Sequence, residues 1–187
     1  MSDERAARFE RLFRSHADAV RYYALRRTAP EDVDDVVADT FLVAWRRLDD
    51  VPAEPRPWLL MVARRVLANR RRADRRVVSL SSRLAQASAP GPTSNPDDAT
   101  DGTGLGSAVL AALEQLPEKE REAIRLLAWD ELSTTDAATV LGCSRATLAV
   151  RAHRARRRLA TLLESQQDHG DAEPSPAVGT ARIVEER

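Results

Sequence analysis

The stretch STTDAATVLGCSRATLAVRAHRARRRL, Ser133 to Leu159, decides how this chain folds. Ser133-x-x-Asp136 resembles a capping box with Asp where Glu is usual, and so starts a helix at about 134. Gly142-Cys143-Ser144 makes a tight turn: glycine accepts the left-handed backbone that ends a helix, and Ser144 is a good N-cap for the next. In that second helix, about 145–163, Leu148, Ala152, Ala155 and Leu159 recur at spacings of four and three, one inward face. Ser144, Arg145, Thr147, Arg151 and Arg154 lie outside that inward set. A short helix, a glycine turn and a longer basic helix read as a helix-turn-helix. Cys143, in the turn, reads as a small packing residue.

Residues 142–163 carry six Arg and no acid. Such a helix fits the major groove, where Arg pairs with guanine O6 and N7 and neighbouring Arg bind phosphates. The plainer alternative is a helical hairpin with a solvated basic face; an arginine set without one acid favours DNA. Working upstream, Val109, Leu110, Leu113 and Leu116 form a short helix ending near Pro117. Residues 118–130 form another, with Ile124, Leu127 and Ala128 inward. Residues 77–107 are rich in Ser, Ala, Pro, Gly, Thr and Asp with little periodicity, which predicts a flexible linker. The tail 164–187 is polar and acidic and is expected to be disordered.

The N-terminal part is also helical. Phe9, Leu12, Phe13, His16, Val20, Tyr23 and Ala24 mark one stripe over 4–27, broken at Ala29-Pro30. Val33, Val36, Val37, Thr40, Phe41, Ala44, Trp45 and Leu48 mark another over 31–48. Residues 49–57 hold three prolines and predict a loop. A third helix, 57–76, carries Trp58, Val62 and Val66 on one face and turns strongly basic. That basic end, with Trp58, Arg64, Arg65, Asn69 and Arg72, suits a single strand, whose backbone follows charge while bases meet rings or amides. Docking of a basic helix end on any acidic partner is the alternative. Asp32, Asp35 and Asp39 line the polar side of the second helix. Like charges at i, i+4 slightly destabilise a helix, so a basic protein partner and a plain solvated face both remain open. The fold class is therefore all-α: two small helical domains, 1–76 and 108–163, joined by the 77–107 linker.

Whole-chain numbers hide this organisation. The 187 residues carry 29 basic and 29 acidic side chains, a net charge of zero, which taken alone argues against a nucleic-acid binder. Yet residues 56–76 hold eight Arg against Asp74, while 77–107 net −2 and 164–187 net −4. Two arginine-dense stretches separated by an acidic linker look like two phosphate-facing surfaces. A single Cys excludes an intramolecular disulfide and fits a reducing cytoplasm. His16, His153 and His169 are too scattered for a local metal motif, so no metal and no cofactor are expected. The six-residue apolar run Trp58 to Ala63 falls far short of the roughly 20 residues that cross a bilayer, and no signal peptide opens the chain. No catalytic constellation accompanies the carboxylates, so an enzyme is not expected.

The order of these motifs resembles the extracytoplasmic-function group of the bacterial sigma-70 family. Glu31 to Asp49 looks like region 2.2, which in that family docks on RNA polymerase. Pro57 to Arg72 looks like regions 2.3 and 2.4, which melt and read the −10 element. Leu116 to Ala123 looks like the start of region 4, and Leu132 to Leu163 like region 4.2, the reader of the −35 element. Departures are Ala38, Arg65, Asn69, Ala146 and Ala149, where the family commonly has Gln, Asn, Asp, Gly and Lys. The resemblance implies an alternative sigma factor. Asp32, Asp35 and Asp39 would bind core RNA polymerase. Ser144, Arg145, Thr147, Arg151 and Arg154 would read duplex −35 DNA, and Trp58, Arg64, Arg65, Asn69 and Arg72 single-stranded −10 DNA. An anti-sigma factor is a usual further partner, and no membrane partner is implied. The rival reading is a DNA-only helix-turn-helix regulator, with 1–76 sensing or dimerising.

Overall fold

The structure is a computed structural model and describes residues 2–84 and 104–170. Among these residues it is all-α. α1 (Ser2–Leu25) leads through a 3-10 turn (Pro30–Asp32) to α2 (Val33–Arg46), and a second turn (Leu48–Asp50) leads to α3 (Pro55–Leu84). α4 (Gly104–Glu114), α5 (Glu118–Ile124), a π-helical turn (Arg125–Trp129), α6 (Thr134–Leu141) and α7 (Arg145–Gly170) follow.

Local chemistry sets these bounds. Ala29, before Pro30, is extended at φ −63° and ψ 147°, because proline's ring disfavours the helical region for its predecessor. α3 starts at Pro55, two residues before the expected 57: both prolines fall in the first turn, whose N–H groups have no helical acceptor anyway. Three helices outrun their expected limits. α3 continues past 76 to Leu84, α4 begins at Gly104 rather than 108, and α7 continues past 163 to Gly170. The expected linker and tail are therefore helical at their described ends; 85–103 and 171–187 lie outside the described residues.

α1, α2 and α3 pack on one another around Val20, Tyr23, Val33, Val36, Leu48, Leu59 and Leu60, each nearly or fully buried. Phe13 lies at the edge of this bundle, 41% exposed rather than inward, with its ring edge-on to Phe41 at 4.8 Å. Trp45 is likewise exposed and meets Phe9 edge-on at 5.2 Å. In the second half α7 packs on α4, α5 and α6, with Leu113, Leu116, Ile124 and Ala155 at the centre. Ala128, expected inward, is exposed, because the π turn shifts the helical register beyond Ile124.

The halves do not sit apart as a tether alone would allow. α6 packs against α3, and one contiguous core runs from Leu59, Leu60, Ala63 and Leu67 to Leu132, Ala137, Ala138, Val140 and Leu148. An ionic cluster completes this joint. Arg27, at the end of α1 and only 3% exposed in its side chain, donates from Nε to both Glu122 carboxylate oxygens at 3.0 and 3.1 Å. Its Nη2 donates to Asp130 Oδ2 at 2.7 Å and its Nη1 to the Tyr23 carbonyl at 2.9 Å. Arg56 donates to the Asp130 carbonyl at 2.7 Å, and Arg26 to the Trp129 carbonyl at 3.2 Å. Asp130 reaches this place because the π turn bonds its N–H to the Arg125 carbonyl, five residues back, at 3.0 Å.

Candidate nucleic-acid interface

The helix-turn-helix is built by two hydroxyl caps and one glycine. Ser133 Oγ accepts from the Asp136 N–H at 3.1 Å and donates to the Asp136 carboxylate at 2.6 Å, a capping-box variant suited to the shorter Asp. Gly142 closes α6 at φ 62° and ψ 41°, a left-handed conformation that costs a residue with a Cβ about 1 kcal/mol or more. Ser144 Oγ then accepts from the Thr147 N–H at 3.1 Å, and its hydroxyl lies 2.9 Å from the Thr147 hydroxyl. Ser144 and Thr147 are thus exposed but engaged with each other at the start of α7. Cys143 is half-buried against the core, as a packing residue should be.

Leu148, Ala152 and Ala155 are buried on the inner face of α7. Arg145 and Arg154 are exposed, Arg151 is half-buried, and none of the three has a hydrogen-bond or ion-pair partner among the described residues. Arg156 and Arg157 are exposed and equally unpartnered among them. Arg158 differs: it pairs with Glu120 at 2.9 Å and belongs to the packing of α7 on α5. Five of the six arginines therefore present uncompensated charge, the arrangement that phosphate binding and guanine readout require.

The second basic surface lies on α3. Arg64, Arg65, Asn69 and Arg72 are all exposed. Arg72 donates from Nη2 to the Asn69 side-chain carbonyl at 2.7 Å and from Nε to the Ala68 carbonyl at 3.1 Å, which holds its guanidinium beside the amide. Arg75 and Arg76 bond the carbonyls one turn back in the same manner, extending the row. Trp58 does not stand free beside this row; it is half-buried and packs on the core.

The three carboxylates of the acidic face have partners within the chain. Asp32, at the N-terminus of α2, accepts from the Thr28 hydroxyl at 3.3 Å. Asp35 and Asp39 flank Arg70 of α3, which donates at 3.3 and 2.7 Å. The hydrogen bonds Arg70 donates to Asp39 and, less strongly, to Asp35 raise its pKa above the ordinary value despite some desolvation. Arg70 thereby offsets the like-charge repulsion on α2, yet the Asp35 side chain stays 71% exposed and open to a partner.

Arg70 and the Arg27 cluster escaped the sequence reading. Arg27 had a signal: it continues the Val20, Tyr23, Ala24 stripe, and a charged residue on an apolar stripe needs a buried partner. Burial pulls its pKa down, but Glu122, Tyr23 and Asp130 raise it net, so the guanidinium stays charged. Burial, followed by the Glu122 carboxylate, pushes the Tyr23 phenol up, so its hydroxyl stays protonated and donates to Glu122 at 3.1 Å.

Known proteins fit this arrangement. Residues 12–77 match Sigma-70 region 2, and residues 107–159 match Sigma-70, region 4. The RNA polymerase sigma factor NccH of Alcaligenes xylosoxydans xylosoxydans is 30% identical over 164 residues, 85% of this chain and 88% of that protein. The ECF RNA polymerase sigma factor SigL of Mycobacterium tuberculosis is 32% identical over 164 residues, 85% of this chain and 90% of that protein. Among solved structures, the sigma factor RpoE in complex with the anti-sigma factor NepR from Bartonella quintana superposes with TM-score 0.65 at 27% identity, covering 83% of this chain and 96% of that one. The two matched regions define a sigma-70-type transcription factor. The chain belongs to the extracytoplasmic-function group of RNA polymerase sigma factors.

Proposed function

We propose that this chain is an alternative sigma factor that brings core RNA polymerase to promoters with paired −35 and −10 elements. The observation that carries this reading is the presence, in one chain, of two separate basic surfaces that have no acidic partner among the described residues: the outer face of α7 and the Arg64, Arg65, Asn69, Arg72 row of α3. A regulator that only bound an operator would need the first and have no use for the second.

On duplex DNA, Arg145, Arg151 and Arg154 with Ser144 and Thr147 would fix register at the −35 element through phosphates and guanine edges. The α3 row would hold the −10 strand while a base leaves the stack, an exchange whose unstacking costs a few kcal/mol. Trp58 would add a ring only if its packing loosened; the described position favours support of α3 over stacking. The acidic face Asp32, Asp35, Asp39 would meet a basic surface of core polymerase, with Arg70 releasing one carboxylate or both. No hydrolytic step enters this scheme. No described helix is long and apolar enough to cross a membrane, and the work is assigned to the cytoplasm. Because the matched RpoE was solved with an anti-sigma factor, an anti-sigma factor is proposed as a further partner.

The test is enrichment of duplexes from a randomised library by core polymerase with this chain. Two fixed sequence blocks about two helical turns apart are expected. Enrichment of one block by the chain alone, unchanged by core polymerase, would instead support the operator-binding regulator.

A further inference from the structure

We propose that Val150 of α7 reads a thymine of the −35 duplex through its C5 methyl group, beside a guanine held by Arg154, while Arg145 and Arg151 bind the flanking phosphates. The inference deepens the sigma-factor reading above and rests on it.

The direction in which each side chain leaves α7 follows from its place in the turn. Leu148, Ala152 and Ala155 are buried and define the inward side. At about 100° per residue, Val150 projects within roughly 15° of straight outward, and Ala146, one turn earlier, within roughly 30°. His153 and Arg154 follow at about 50° on either side of that direction. Arg145 lies about 130° from it on one flank and Arg151 about 110° on the other. A recognition helix presents its N-terminal residues to base edges. The side centred in the groove therefore meets bases, and the two flanks meet the two backbones. Arg157 projects as Val150 does but lies about 10 Å further along the axis, beyond those N-terminal turns.

The chemistry of this position selects the base. Val150 is 49% exposed and belongs to neither apolar core. Single exposed apolar side chains are ordinary. Valine is nevertheless a poor choice for a solvated helix surface, because its branched Cβ loses rotamer freedom and helix propensity. Here it stands among five arginines with no acidic partner among the described residues, a setting that draws phosphate around it. With no donor or acceptor, Val150 suits the one apolar group of the major-groove edges, the thymine methyl. Against cytosine, guanine or adenine it would cover an amine, O6 or N7 and leave a polar atom unpaired. Ala146 and Thr147, both exposed, extend this apolar floor: the Thr147 hydroxyl lies 2.9 Å from that of Ser144, which leaves its methyl group for the base. Arg154 comes four residues after Val150, about 6 Å along the axis. Its guanine thus stands about two base steps of ~3.4 Å from the thymine.

The test uses the full chain with core polymerase and the duplexes enriched from the randomised library. Each thymine of the −35 block is replaced in turn by deoxyuridine, which removes only the C5 methyl group, and affinity is read by fluorescence anisotropy. At one thymine, replacement should weaken binding about fourfold, the worth of one buried methyl group. Val150→Ser, on the surface and outside both cores, should bind thymine and deoxyuridine alike at that step and keep the guanine preference. Arg145→Ala should weaken all duplexes alike and keep the methyl effect. If no deoxyuridine weakens binding by the parent chain, or if Val150→Ser keeps the fourfold loss, the thymine assignment is refuted while two enriched blocks still support the sigma reading. Enrichment of a single block by the chain alone would overturn the sigma reading, and the same deoxyuridine comparison on that block then decides the thymine assignment. Enrichment of no block would overturn both.

Discussion

Replacing Asp130 by alanine removes a carboxylate that accepts from Arg27 at 2.7 Å and from Arg26 at 3.4 Å. Arg27, 3% exposed in its side chain, is left with Glu122 as its one carboxylate, beside the Tyr23 carbonyl. Breaking a buried pair by deleting one partner costs about 3–5 kcal/mol. Since Glu122 still accepts from Nε, the lower end applies, about 3 kcal/mol. With a urea dependence of about 2 kcal/mol per molar, the unfolding midpoint should fall by about 1.5 M. Opening of the joint would cap this loss, because hydrated Arg27 no longer needs a partner. In that case the transition also broadens, since surface already exposed no longer contributes to the slope. Replacing the triad together, Arg27→Met with Glu122→Gln and Asp130→Leu, should recover most of the loss, because no charge is then stranded. Equilibrium urea unfolding followed by far-ultraviolet circular dichroism reads all of these. An Asp130→Ala midpoint and slope equal to those of the parent would show that Arg27 does not depend on this carboxylate.

Other outcomes follow from the same geometry. Arg154→Ala should weaken binding to −35 duplex and reduce its salt slope by about 1, and Arg151→Ala should do the same to a lesser degree because that side chain is half-buried; fluorescence anisotropy across a salt series measures both, and unchanged slopes would remove these arginines from the interface. Asp35→Asn with Asp39→Asn should abolish co-purification with core polymerase and free Arg70 from its partners; retained binding would move the docking face elsewhere. His16 has its pKa lowered below 6.5 by burial, then by Arg56, against a smaller opposing effect of Glu54. The unfolded chain therefore binds this proton better, so stability is lost as pH falls below about 6.5. A His16→Gln variant should lack that component in pH-dependent thermal unfolding, and identical pH profiles would contradict the assignment.

Much of the architecture was legible because short-range rules governed it. The Ser133 and Ser144 caps, left-handed Gly142 and the inner face of Leu148, Ala152 and Ala155 each depend on residues within a few positions. The ends of α3 and α7 were not legible in that way: polar residues such as Ser79, Ser81 and Ser82 carry a weak helical signal, but a preceding strong helix extends through them. The contact between halves was hidden for a different reason. Arg27 meets Glu122 and Asp130 across separations of 95 and 103 residues, and no periodicity announces such a pairing. The basic surfaces themselves were visible as charge density, whereas the role of Arg70 was not. An arginine inside a basic run looks like its neighbours until α2 is seen to place Asp35 and Asp39 beside it.

A sigma factor must give core polymerase its promoter. Run-off transcription tests it most directly, using purified core polymerase, linear templates from the enriched library, and the chain added or withheld. The expected product is a transcript of defined length that requires the chain and both sequence blocks and that disappears when either block is scrambled. A transcript equally abundant without the chain, or none with it despite −35 binding, would contradict it.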